Sequence, residues 1–170
     1  MSRTLSTITA MLAAAALTVS AQTSQVMLKD AQGKDVGTVM LSPASGGGVT
    51  VAYDFKGLPP GEHALHIHAV GKCEPPFTSA GPHLNPGGKK HGLENPEGPH
   101  AGDMPNIKVA ADGTAKGSVT NKHVSMGTDT NSVFPTGGTA IVIHAAADDL
   151  KTDPSGNAGD RIACGVVEKK

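Results

Sequence analysis

Residues 61–77 read GEHALHIHAVGKCEPPF. From His63 to Ala69 the segment has the two-residue period of a strand, in which residues i and i+2 project from one face. His66 and His68 therefore share a face, and Ile67 between them turns to the core. Turn chemistry bounds the segment, with Gly57-Leu58-Pro59-Pro60-Gly61 before it. Outward from it the same grammar repeats. SQVMLKD, VGTVMLSP and VTVAYDF precede it, while NIKVAADG, TAKGSVTN, TAIVIHA and RIACGVVE follow. Helical periodicity is absent, and 22 glycines and 12 prolines punctuate the chain. Eight short strands with turns between them predict an all-β antiparallel sandwich or barrel.

The pattern fails in two places, from Val70 to Pro105 and from Ala145 to Asp160. A long aperiodic loop inside a compact domain calls for something that orders it. The first 21 residues stand apart as well. Arg3 is followed by an apolar run and the small residues Val19-Ser20-Ala21, the layout of a secretory signal peptide cleaved before Gln22. That run is too short to span a bilayer, and no integral membrane segment follows cleavage. Residues 22–170 are then expected to form one domain. Without Arg3, the 14 Lys and Arg fall by one against 15 Asp and Glu, leaving −2. That balance speaks against a nucleic-acid-binding surface. The two cysteines, Cys73 and Cys164, read as a disulfide in an exported protein.

The histidines carry the chemistry. His66 and His68, two apart on a strand, form a pincer suited to a transition metal, although such a pair also arises by chance on exposed strands. The long loop adds His83, His91, His100 and Asp103. Three imidazoles and a carboxylate can make a tetrahedral zinc set, and an ion would order the loop. His144 closes the apolar strand TAIVI. His63 and His123 receive no role, His63 being expected to face away from the pincer.

HALHIHAVGKC, FTSAGPHLNPGGKKHG, PHAGDMPN, AIVIHAAADDL and GNAGDRIACGV resemble, in order and spacing, the copper/zinc superoxide dismutases in their exported bacterial form. The resemblance implies an eight-stranded antiparallel Greek-key sandwich or barrel with two long functional loops. It implies copper ligands at His66, His68, His83 and His144, and zinc ligands at His83, His91, His100 and Asp103. His83 would bridge the two ions. Asp148 would accept hydrogen bonds from a copper-side and a zinc-side histidine. Arg161 would guide the anionic substrate, and the Cys73–Cys164 bridge would help place it.

The implied activity is dismutation of superoxide to oxygen and hydrogen peroxide, with copper cycling between two oxidation states and zinc remaining redox-inert. Arg161 and His83 are its catalytic residues, copper and zinc its cofactors, superoxide its substrate and the bacterial periplasm its location. The resemblance leaves room for a homodimer. Lys151 is a candidate source of added positive potential; Lys89 and Lys90 are candidates too, or plain solvated charges. Asp160 departs from the small neutral residue usual before this arginine, and modest interference with the substrate is expected of it. The competing expectation is a periplasmic copper or zinc carrier without turnover. A zinc hydrolase fits less well, because four protein ligands leave no open position for water.

Overall fold

A computed structural model of the chain describes residues 22–169, so the expected signal peptide lies outside the described residues. Nine strands follow in order: β1 (Ser24–Asp30), β2 (Asp35–Pro43), β3 (Val49–Phe55), β4 (Gly61–His63), β5 (Leu65–His68), β6 (Ile107–Val109), β7 (Ala115–Asn121), β8 (Thr139–His144) and β9 (Arg161–Val167). Among the described residues there is no α-helix, only a 3-10 turn at Thr78–Ala80. No helix there is long and apolar enough to cross a membrane.

Seven strands form one antiparallel sheet in the order β5-β8-β9-β1-β2-β3-β7, and β4 pairs with β6 in a two-stranded ribbon. The all-β antiparallel expectation holds, with nine strands rather than eight. The extra strand arises because the fourth expected one divides at Ala64. Its first part pairs with β6, His63 opposite Ile107, and its second with β8, Leu65 opposite Ile143. Ala64 itself bonds to the far side, its N–H donating to Ala146 O at 2.9 Å and its carbonyl accepting from His144 N–H at 3.0 Å. A strand that changes partners makes a corner between two sheets.

Alternation explains the core. In β1, Val26 and Leu28 are buried while Gln25, Met27 and Lys29 are exposed. They join Val39, Leu41, Val51, Ile67, Ile141 and Ile143 in one apolar cluster. Each such buried side chain contributes about 1.5–3 kcal/mol. β5 and β8 are different, being buried at every position. Ile67 and Ile143 face the main core, whereas Val142 and Ala140, the cross-strand partners of His66 and His68, belong to a second cluster. That cluster adds Phe77, Ala80 and Cys164. The loop leaving Cys73 thus covers the histidine-bearing face.

Three ties hold the loops. The Cys73–Cys164 disulfide, with Cα atoms 5.6 Å apart, anchors the first loop to β9. His83 pairs with His68 as an isolated antiparallel bridge, and Leu84 N–H donates to Ile67 O at 2.8 Å. The second loop closes on itself through Ala145 N–H to Asp160 O and Ala146 N–H to Ala158 O. A register shift at Ile143/His144 then sets Arg161 opposite His144. Such bulges re-aim side chains beside functional sites.

Candidate metal centre

Six imidazoles and one carboxylate meet on the covered face. His66 and His68 come from β5, His144 from the end of β8, and His83, His91, His100 and Asp103 from the first loop. Two groups form, His66/His68/His83/His144 and His83/His91/His100/Asp103, each with ligand atoms within 4.8 Å of one another and every member buried. His83 belongs to both. Its ring centroid lies 4.0 Å from that of His66 and 5.1 Å from that of His91.

The second group has the dimensions of a tetrahedral ion. Asp103 Oδ1 lies 2.9 Å from His83 Nδ1, 3.1 Å from His91 Nδ1 and 3.4 Å from His100 Nδ1. His83 Nδ1 and His100 Nδ1 are 3.4 Å apart. A tetrahedron with zinc–ligand bonds of about 2.0–2.1 Å has edges of roughly 3.3–3.4 Å. The other carboxylate oxygen, Oδ2, accepts Gly92 N–H at 2.8 Å and His100 N–H at 2.9 Å, which turns Oδ1 toward the three rings.

Two atoms of the first group mark it as suited to a cation. His66 Nδ1 and His83 Nε2 are buried without any hydrogen-bond partner. An unsatisfied buried polar atom costs about 1–3 kcal/mol and is uncommon. Both atoms sit in the same four-histidine group, where one soft-to-borderline cation would satisfy them together. His68 Nε2 and His144 Nε2 complete it, 3.4 Å apart. The donor set fits copper at one position and zinc at the other.

Outer partners orient the rings. Asp148 Oδ2 lies 2.7 Å from His66 Nε2, and its Oδ1 lies 3.0 Å from His91 Nε2. Asp148 therefore spans both groups. Asn106 clamps Asp148 by its backbone, donating Nδ2–H to Asp148 O at 2.9 Å and accepting Asp148 N–H at 2.8 Å. Asn121 on β7 donates its Nδ2–H groups to the carbonyls of Ala101 at 2.8 Å and Asp103 at 3.2 Å. Sequence reading passed over both asparagines, since neither carries ligand chemistry or a local motif. His63 was given no role. It lies outside both groups, with Nδ1 2.8 Å from His144 O and Nε2 2.9 Å from Pro59 O, and so props the strand end that carries His144.

Electrostatics prepare the ligands. Burial lowers His66 to about 4, against the hydrogen bond to Asp148. Burial, with the neighbouring histidines and Arg161, lowers His68 to about 2 and His144 to about 3. These rings are neutral at ordinary pH and have lone pairs to offer. Burial would raise Asp103 and Asp148, but hydrogen bonds from His83 and His91 to the first, and from His66 and His91 to the second, hold both well below the usual carboxylate range. Burial likewise opposes charge on His91, and its bonds to Asp103 and Asp148 outweigh this, raising it to about 9.

A cleft of about 1010 Å³ opens over His83 and His144, with Arg161, Lys89, Lys90 and Asp153 on its walls. Arg161 is held by two carbonyls of the disulfide-tied loop, donating Nη1–H to Phe77 O at 2.6 Å and Nη2–H to Gly81 O at 2.7 Å. Gly81 O also accepts from His68 Nδ1 at 2.8 Å, which couples the arginine to a ring of the four-histidine group. Lys151, read as a source of potential, instead pairs with Glu94 at 2.8 Å and does not line the cleft. Asp160 is exposed and lines a neighbouring hollow with Arg161 rather than the cleft.

The comparisons with known proteins agree with this geometry. The family model for copper/zinc superoxide dismutase matches residues 36–167. The chain is 49% identical over 164 residues to Superoxide dismutase (Cu-Zn) 2 of Aquifex aeolicus, covering 92% of this chain and 95% of that protein. It is 42% identical over 146 residues to the Caulobacter vibrioides Cu-Zn superoxide dismutase, covering 84% and 83%. Among solved structures it is similar to a SOD-like protein from Bacillus subtilis (TM-score 0.81, 38% identity, 84% of this chain and 96% of that one). It is also similar to the Cu/Zn superoxide dismutase from Brucella abortus (TM-score 0.70, 30% identity, 86% and 100%). With a family match over most of its length and a buried donor set shaped for two ions that share one ring, the chain belongs to the copper/zinc superoxide dismutase family.

Proposed function

We propose that the protein dismutes superoxide at a copper held by His66, His68, His83 and His144, beside a zinc held by His83, His91, His100 and Asp103. The observation that carries this reading is the pair of orphaned buried nitrogens, His66 Nδ1 and His83 Nε2, in a four-histidine group that shares His83 with a zinc-shaped one. Copper, when bound, supplies one-electron exchange, so that one superoxide is oxidised to oxygen and a second, taking two protons, is reduced to hydrogen peroxide.

The chain's own residues do the rest. Arg161, its guanidinium fixed by Phe77 O and Gly81 O, offers hydrogen bonds and charge to the incoming anion. His83 Nε2, with no other partner, is the nitrogen that can take a proton and hand it to the departing peroxide. Zinc at its Nδ1 would keep the ring in place, and Asp148 fixes His66 and His91 by their Nε2–H groups. The Cys73–Cys164 bridge supports export to an oxidising compartment, and we take that compartment to be the periplasm, reached by way of the signal sequence in residues 1–21. The test is superoxide consumption after loading with copper and zinc, repeated with His144→Ala. Catalysis lost in the variant supports the reading; metal binding without turnover in the unaltered protein makes it a carrier.

A further inference from the structure

Five of the imidazoles touch only one of the two ion groups, and each has a second ring nitrogen to satisfy. Four do so within 3.2 Å: His66 and His91 at Asp148, His68 at Gly81 O and His144 at Gly159 O. His100 is the fifth. Its Nδ1 faces Asp103 and His83, and the carboxylate beside its Nε2 is Asp153, with Oδ1 at 3.7 Å. That span is too long for a direct hydrogen bond, and a small side-chain rotation or one bridging water covers it.

Asp153 is well placed for the task. It belongs to the second loop, and its Oδ1 already accepts His91 N–H at 2.8 Å, so the carboxylate is pinned between two members of the zinc-shaped group. Its Oδ2 is 3.6 Å from Lys90 Nζ on the cleft wall. The second loop thus bonds to His91 twice, through Asp148 at its ring and Asp153 at its backbone, and sets Asp153 beside His100.

We propose that Asp153 is a positioning residue for the zinc site. It accepts the His100 Nε2–H, directly or through one water, and holds His100 Nδ1 and the His91 backbone in the geometry that receives the ion. This rests on the zinc assignment made under the proposed function. The carboxylate also strengthens His100 as a donor, as outer-shell acceptors do.

A nearby contact separates this role from simple loop tethering. Lys151 joins the same two loops through Glu94 and touches no ligand side chain. The full chain, its copper position filled, is titrated with zinc against a chelator, and cobalt(II) is placed in the zinc position as a spectroscopic probe. Asp153→Ala is expected to weaken zinc roughly ten- to hundredfold and to alter the visible cobalt bands, with copper retention unchanged. Asp153→Asn keeps an oxygen acceptor for both N–H groups and is expected to recover part of that loss. Lys151→Ala should leave both readouts as they were. The role is overturned if Asp153→Ala binds zinc and cobalt as the unaltered protein does, or if Lys151→Ala loses as much. An unaltered protein that takes no zinc at all overturns the zinc assignment itself, which is a different result from tight zinc binding indifferent to Asp153.

Discussion

Replacing Gly156 by alanine should unseat Asp148 and, through it, both ion groups. Gly156 has φ +64°, and a Cβ built there overlaps Asp148 Oδ1 and comes within 2.7 Å of His91 Nε2. The glycine has little room to retreat. Its N–H donates to Thr152 O at 2.7 Å and its carbonyl accepts Asp149 N–H at 2.9 Å. The carboxylate must therefore move and give up its bonds to His66 and His91. Each is a hydrogen bond to a charged group, so their loss is expected to cost about 3–6 kcal/mol together. The left-handed backbone adds about 1–2 kcal/mol for any side chain. Gly137 isolates that second contribution, since it has φ +89° and nothing within 4 Å of a built Cβ. Thermal unfolding of the metal-free proteins should place Gly156→Ala roughly 10 °C or more below Gly137→Ala. Chelator competition should show weakened copper and zinc in the first variant alone. Equal melting temperatures with unaltered metal retention in both would refute the reasoning.

Zinc uptake should carry a proton signature. With His91 raised to about 9, the metal-free protein holds a proton there that zinc must displace, so affinity is expected to climb about tenfold per pH unit between roughly pH 6.5 and 9. The same raised value stabilises the metal-free fold below the ordinary 6.5, an effect lost as pH rises through about 9. A flat zinc affinity in competition titrations over that window would contradict both. Lys89 lines the cleft and forms no ion pair among the described residues. Lys89→Ala should slow superoxide consumption about twofold at low ionic strength, the scale of one unit charge some 10 Å away in water. Lys151→Ala, already paired with Glu94, should leave the rate unchanged, and a larger effect there would reverse the assignment. Removing the disulfide with Cys73→Ser and Cys164→Ser should cost up to about 4–5 kcal/mol, since the bridge closes a span of 91 residues. Denaturant unfolding reads that loss. Activity should fall with it, because Phe77 O and Gly81 O, which hold Arg161, ride on the tied loop.

The legible part of this protein is the part that local physics governs. A period of two puts His66 and His68 on one side of β5 with Ile67 on the other, whatever the rest of the chain does. Turn residues mark the strands, and the chain's two cysteines mark the bridge. His83, His91, His100 and Asp103 stand out because so many donors crowd one loop. Ala64 shows the limit of that reading. Nothing in HALHIHA reveals that the strand changes partners there, because the reason is the competing edges of β6 and β8.

What the tertiary structure alone decided is which distant groups meet. The bulge that brings Arg161 opposite His144 depends on the register between β8 and β9. Lys151 looks no different from Lys89 along the chain, yet one pairs with Glu94 and the other lines the cleft. Asn106, Asn121, Asp153 and Gly156 are ordinary loop or strand-end residues until folding brings them against Asp148, the 101–103 backbone, His91 and His100. The strand pattern and the donor types are properties of neighbours in sequence, and so they can be read from it. Outer-shell contacts and cleft charge arise between residues tens of positions apart, where only the closed fold sets the distance.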